Sequence, residues 1–187
     1  MKKCSKFLLI LFAILIISGC ALPFQSEKYP AWKTKGLLES YTLGDGRSIG
    51  GWLGANIGDK ITAKWYEFTV DSVEEVDEYN GYKAKDGKTL YHAKITITNT
   101  TDKDVYLFDG DFTLVWNLEN EDFSYQYSMD AFNDSMLSNE MVIEPDMTKT
   151  IDTLYEVDKD IEKPLAIYYY EQYSDNQNGN KYYVYIR

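Results

Sequence analysis

Residues 90–98 (LYHAKITIT) alternate without a break, with Tyr91, Ala93, Ile95 and Ile97 on one side of an extended chain and His92, Lys94, Thr96 and Thr98 on the other. Successive side chains of a strand point to opposite faces, so a period of two predicts one face in a core and the other toward solvent. Residues 63–73 (AKWYEFTVDSV) repeat the pattern. There Tyr66, Phe68, Val70 and Ser72 form the core-facing set, and Trp65, Glu67, Thr69, Asp71 and Val73 the outer one. Further short segments rich in β-branched and aromatic residues follow at 104–107, 112–118, 124–129, 141–143, 148–157, 165–171 and 181–186. Turn signals stand between them: Asn80-Gly81, Asp86-Gly87, residues 99–102 (NTTD) and Asn178-Gly179, the last read as the tip of a final hairpin. This rhythm predicts an all-β sandwich or barrel. Only residues 130–140 leave room for a short helix, capped by Asp130 or Asn133.

The N-terminus has a different grammar. Lys2, Lys3 and Lys6 precede an apolar run over residues 7–17, followed by Ser18, Gly19 and Cys20. A basic start, a short apolar stretch and small residues before a cleavage point make a secretory signal peptide. The run is shorter than the roughly 17 to 25 residues a spanning helix requires, which argues against an uncleaved anchor. Cys20 directly after Ser-Gly resembles a bacterial lipoprotein lipobox. That resemblance implies cleavage before Cys20, a diacylglyceryl group on its thiol, and a further acyl chain such as palmitate on its amine. Each buried CH₂ contributes about 0.8 kcal/mol, so two or more chains hold a protein where one would not. The expected address is the outer face of the cytoplasmic membrane.

This divides the chain into a signal peptide (1–19), a tether that is partly docked (20–57) and a domain (58–187). Removing the first 19 of 187 residues leaves 168, enough for one domain with its own core. The tether holds Pro23, Pro30 and six of the twelve glycines, with Gly58 just beyond it, and a flexible chain of its length spans about 35 Å. Trp52, Leu53 and their neighbours are too apolar for a solvated linker, so residues 47–53 are expected to dock on the domain. Cys4 leaves with the signal and Cys20 carries lipid, so no thiol remains for a disulfide. Loss of Lys2, Lys3 and Lys6 leaves 16 basic against 30 acidic residues, a formal charge of −14. A domain so charged repels nucleic acid and anionic lipid, and attracts cations or a basic partner.

Residues 58–157 open with Gly58-Asp59, run through AKITITNTTDKDVYLFDGDFTLVWN (93–117), and pass into VIEPDMTKTIDTLYEVDKD (142–160). These motifs resemble a family of bacterial extracytoplasmic domains of unknown function with an immunoglobulin-like antiparallel β-sandwich. Such domains are often carried on lipoproteins and are related in fold to a secreted immunoprotective antigen family. The resemblance implies fold and carries no catalytic residue. Pro145-Asp146 departs from it, standing where a Pro-Gly turn is usual.

Chemistry-bearing residues are few. His92 is the sole histidine and is read as a cross-strand residue on the solvent face, which leaves His-centred metal triads and a Ser-His-Asp triad without support. Acidic residues gather at Asp109, Asp111, Glu119, Glu121 and Asp122, with Asp130 and Asp134 beyond. Ca²⁺ takes six to eight oxygen ligands, which apposed loops of this kind supply, although none matches a calcium-loop motif. Tyrosine is the other anomaly, 17 in all, concentrated at Tyr168, Tyr169, Tyr170, Tyr173, Tyr182, Tyr183 and Tyr185. In consecutive strand residues every second ring faces outward, so either Tyr169, or Tyr168 with Tyr170, lies on an outer face, where rings stack on sugars or form a partner surface. Tyr168, Tyr169, Tyr170, Tyr183 and Tyr185 are therefore the candidate binding residues. The expected function is a non-catalytic binding module for an envelope protein or cell-wall glycan. A Ca²⁺-binding domain is the alternative, and an envelope hydrolase with paired carboxylates a remote one.

Overall fold

The computed structural model describes residues 38–118, 123–161, 164–175 and 177–186. The signal peptide, Cys20 and the first part of the tether lie outside them. Among the described residues the chain forms strands and no helix. They begin with β1 (Tyr41–Thr42), β2 (Ser48–Ile49), β3 (Trp52–Asn56), β4 (Ile61–Thr62), β5 (Tyr66–Val76), β6 (Glu78–Tyr79), β7 (Tyr82–Lys83) and β8 (Lys88–Asn99). They continue with β9 (Val105–Leu107), β10 (Thr113–Trp116), β11 (Ser124–Gln126), β12 (Met141–Ile143), β13 (Thr148–Asp158), β14 (Leu165–Gln172) and β15 (Asn178–Ile186).

Two sheets carry the architecture, one ordered β13-β8-β5-β4 and the other β11-β10-β14-β15-β3. Their inner faces supply one core, with Phe68, Ile95, Ile97 and Ile151 from the first sheet against Leu114, Ile167, Tyr182 and Val184 from the second. Burying each such side chain contributes about 1.5 to 3 kcal/mol, so the sandwich is held by apolar area and needs no disulfide. The order is that of an immunoglobulin-like sandwich, with β5, β8 and β13 as strands A, B and E and β10, β14 and β15 as C, F and G. Tyr155 spans the two layers, donating its buried hydroxyl to the Phe112 carbonyl at 2.8 Å. The docking expected of residues 47–53 extends further, because β3 pairs in parallel with β15 from Trp52↔Lys181 to Asn56↔Tyr185. The sheet therefore starts before residue 58.

Several local expectations change for identifiable reasons. Tyr66, Phe68 and Val70 are buried as the alternation requires, but a bulge lies between Val70 and Ser72. One extra residue, Asp71, flips the parity: Val73 turns inward opposite Ala93, and Ser72 turns outward opposite Lys94. Asn178-Gly179 lies inside β15 rather than at the hairpin tip, where the Tyr173 N–H closes the turn on the Gln177 carbonyl. Asn80-Gly81 does form a tight turn, with φ of 48° and 84°, between β6 and β7.

Residues 130–140 form no helix. The Asn133 side chain accepts the Ser135 and Met136 N–H groups, and the segment then runs along the free edge of β13. Leu137 donates to the Asp152 carbonyl and Asp152 to that of Ser135, both at 2.8 Å. This edge pairing covers a strand that would otherwise expose its backbone groups. It also builds a second apolar layer on the outer face, where Leu90, Met136 and Leu154 are buried beneath Val76, Tyr79 and Tyr82. His92 lies under that layer and is 9% exposed, so its expected place on the solvent face is corrected.

Candidate functional site

At one end of the sandwich, β9 leads into a turn over residues 108–111 that is closed from both sides. The Asp111 N–H donates to the Phe108 carbonyl at 3.0 Å, and the Phe108 N–H donates to Asp111 Oδ2 at 2.8 Å. Thr113 Oγ1 donates to the Gly110 carbonyl at 3.0 Å, which ties the turn to β10. Register then places the neighbours: β10 sets Thr113 opposite Tyr168 of β14 and Val115 opposite Tyr125 of β11. Between the turn, β11 and β14 opens a cleft of about 1230 Å³.

Aromatic rings form most of its wall. Tyr106, Phe108, Tyr125 and Tyr127 stand at the rim, 44 to 55% exposed, with the Tyr125 and Tyr127 centroids 5.2 Å apart. Phe123 meets Tyr168 edge-on at 5.3 Å, and Tyr168 lies parallel to Tyr170 at 6.3 Å. Tyr66 lines the cleft from β5, its hydroxyl buried beside Tyr169. Burial drives that hydroxyl's pKa well up, helped by Tyr169 and Asp111.

Among the described residues, the charged ones of the lining are all acids: Asp104, Asp109 and Asp111. Burial pushes the Asp111 carboxyl up to about 6, the Phe108 N–H pulls the other way, and the Asp109 charge adds to the rise. The cleft is thus an aromatic trough with a titratable anionic side.

Two of the five candidate tyrosines, Tyr168 and Tyr170, face this cleft. Tyr169 points into the core, stacked on Phe112 at 5.5 Å and Tyr182 at 5.8 Å, and contributes to the base of the cleft. Of the two alternatives for the outward rings the structure selects Tyr168 with Tyr170: alternation on β14 sends both out and Tyr169 in, which removes Tyr169 from the exposed binding rings. Tyr183 and Tyr185 continue the outer row along β15, with Tyr168 and Tyr183 5.0 Å apart. Tyr185, however, is 3% exposed, covered with Val115 and Ala166 by Leu118 and Phe123, and offers no surface. Asp109 and Asp111 both line the cleft, whereas Glu119, Glu121 and Asp122 lie outside the described residues. Among the described residues no group of three or more His, Cys, Asp or Glu side chains converges as metal ligands do.

The rim residues Tyr106, Phe108, Tyr125 and Tyr127 were not singled out by the sequence. The available signal was aromatic side chains flanking Asp109-Gly110-Asp111, where a solvated turn needs none.

His92 lies elsewhere, with Nε2 2.7 Å from Asp152 Oδ1 and its ring centroid 4.4 Å from that of Tyr79. Burial works against the Asp152 charge, yet hydrogen bonds from Ser135 and His92 and the nearby Lys94 hold its carboxyl below the usual range. The carboxylate stands between Ser135 and His92. A nucleophilic triad needs the imidazole between hydroxyl and carboxylate, so this cluster is a packing and charge-pairing device.

A family model described as "Domain of unknown function (DUF4352)" matches residues 55–181. The chain belongs to the DUF4352 family. Every residue lining the cleft falls inside the DUF4352 match. Among solved structures, a candidate lipoprotein of Bacillus subtilis, ycdA, is 14% identical with a TM-score of 0.50, covering 70% of this chain and 39% of its own. That likeness concerns the fold alone. An uncharacterised β-sandwich protein of Clostridium difficile is 20% identical with a TM-score of 0.47, covering 70% and 91% of the two chains. The secreted protein MPT63 of Mycobacterium tuberculosis is 12% identical with a TM-score of 0.48, covering 69% and 95%. No curated protein matches the chain.

Proposed function

We propose that this DUF4352 protein is a non-catalytic binding module held by lipid on Cys20 at the outer face of a bacterial cytoplasmic membrane, with its ligand seat in the aromatic cleft. The carrying observation is the cleft itself, where four exposed rings surround a concavity of about 1230 Å³. Single exposed aromatics are ordinary, but a contiguous group around a hollow with a few placed polar groups is the usual form of a binding site. The address rests on the signal peptide and lipobox pattern of residues 2–20. The non-catalytic reading is supported by the engagement of His92 with Asp152, away from the cleft.

A decisive experiment is thermal unfolding of the full-length protein against cell-wall glycan fragments, peptides and millimolar Ca²⁺, in the native form and with Tyr125→Ala and Tyr127→Ala combined. A ligand that binds only the native state raises its melting temperature. The expected result is a shift of several degrees with one ligand class that disappears in the double variant. A shift that survives the double substitution removes the cleft from the proposal.

A further inference from the structure

We infer that the cleft takes a basic peptide segment, the alkyl stems of its lysine or arginine side chains laid on the rim rings and their charged ends turned to Asp104, Asp109 and Asp111. This rests on the reading of the cleft as the ligand seat and specifies the chemistry of its occupant.

Three observations carry it. First, the lining combines aromatic faces with carboxylates and holds no Lys, Arg or His among the described residues. A cation over an aromatic face is attracted by the ring quadrupole, and the attraction grows as water is excluded. A neutral sugar gains from the rings and donates hydroxyls to the carboxylates, but it brings no positive charge to balance theirs. Second, the protein uses the same chemistry internally at the edge of this cleft. The Arg47 guanidinium lies 4.9 Å over the ring of Tyr173, itself a lining residue, and donates to Asp45 at 2.7 Å and Asp175 at 2.8 Å. An arginine between an aromatic ring and two aspartates is a bound side chain of the proposed kind, supplied by the chain itself. Third, about 1230 Å³ exceeds the roughly 300 to 1,000 Å³ of small-molecule pockets, so several residues fit. The formal charge of −11 on the full sequence steers such a partner toward the domain.

Asp111 makes the site sensitive to pH. The groups that act on it are Asp109 and the Phe108 N–H within its own turn, with the hydroxyls of Tyr66 on β5 and Tyr169 on β14 near enough to feel its charge. As pH rises through about 6 the carboxyl ionises and the cleft becomes more anionic, while the peptide keeps its charge.

The test is calorimetric titration of the full-length protein in detergent with three probes: a capped Lys-Ala repeat octapeptide, its Glu-Ala counterpart and a neutral chitin tetramer. The basic peptide is expected to bind alone among the three, with affinity falling about tenfold or more between roughly 0.05 and 0.5 M salt. Asp111→Asn and Tyr125→Ala should each weaken it several-fold, and binding should be stronger at about pH 7.5 than at about pH 5 in the native form but not in Asp111→Asn. Glu74→Gln, which removes an exposed charge on the other sheet, should leave it unchanged. Equal losses in Glu74→Gln and Asp111→Asn would overturn the inference, because the attraction would then belong to net charge. Binding of the chitin tetramer that depends on Tyr125 would overturn it while preserving the cleft as ligand seat. Binding of any probe that is indifferent to Tyr125→Ala would overturn both.

Discussion

A Cβ at Gly179 would stand 2.5 Å from the Cβ of Glu171, so β15 lies against that side chain only because residue 179 has none. Glu171 is 1% exposed, at a bulge between Tyr170 and Gln172. Its carboxylate accepts the Lys64 N–H at 2.8 Å, the Asn180 N–H and Nδ2–H at 3.1 Å, and the Tyr182 hydroxyl at 2.7 Å. Asn180 Oδ1 in turn accepts the Gly51 N–H at 3.0 Å. One buried side chain thus ties β14 and β15 to the segment before β5 and, through Asn180, to the strap leading into β3.

Gly179→Ala is therefore expected to cost about 1 to 3 kcal/mol through overpacking. Glu171→Ala should cost about 3 kcal/mol or more, because it strands several buried donors at once. Urea unfolding measures both. A loss under about 0.5 kcal/mol in either, the range of ordinary surface substitutions, would contradict the arrangement.

Rim and core tyrosines should separate cleanly. Tyr125→Ala and Tyr127→Ala remove exposed rings and should leave unfolding free energy within about 0.5 kcal/mol of the native value. Tyr169→Ala empties a site stacked between Phe112 and Tyr182 and should cost about 3 to 5 kcal/mol. Circular dichroism melts of the three variants would show whether the distinction holds.

Asp111 predicts a pH dependence of stability. Its carboxyl titrates at about 6 in the folded protein against about 3.9 in an unfolded chain, so the native state binds the proton more tightly. The contribution is complete below about pH 4, is lost as pH rises through about 6, and is flat above. Allowing for solvent at a half-buried group, the span is about 1 to 2 kcal/mol. Asp111→Asn keeps an acceptor for the Phe108 N–H and removes the titration. The unfolding free energy of the native form minus that of the variant should fall from pH 4 to pH 6; a difference constant with pH would refute the assignment.

The turn at Pro145-Asp146 offers a stabilising change. Met147 N–H meets the Glu144 carbonyl at 3.1 Å, and Asp146 adopts φ 60°, as the third residue of a type II turn must. Glycine enters this region without a Cβ penalty, so Asp146→Gly should raise stability by up to about 1 kcal/mol. A lowered melting temperature would show that the Asp146 side chain contributes more than its backbone costs.

The strand pattern was legible wherever one face meets the core over a continuous run, as in β8, where Tyr91, Ala93, Ile95 and Ile97 are all buried. It failed at Asp71, since a bulge is decided by pairing with β8 and leaves no mark in the alternation of β5 itself. It failed at Asn178-Gly179 because the dipeptide is a turn signal by local propensity, while here glycine is required by the side chain of Glu171 across the hairpin.

The all-β class, the positions of the long strands, the turn at Asn80-Gly81, the acidic charge and the tyrosine-rich character of β14 and β15 can all be read along the chain, because each follows from local periodicity, propensity or composition. Packing between distant segments sets the rest: Tyr169 faces inward, His92 is covered, and rings from β9, the 108–111 turn, β11 and β14 meet around one cleft with Asp109 and Asp111. Those outcomes depend on strand register and on contacts between segments distant in the chain, and local sequence carries no record of which distant partner will lie across the sheet.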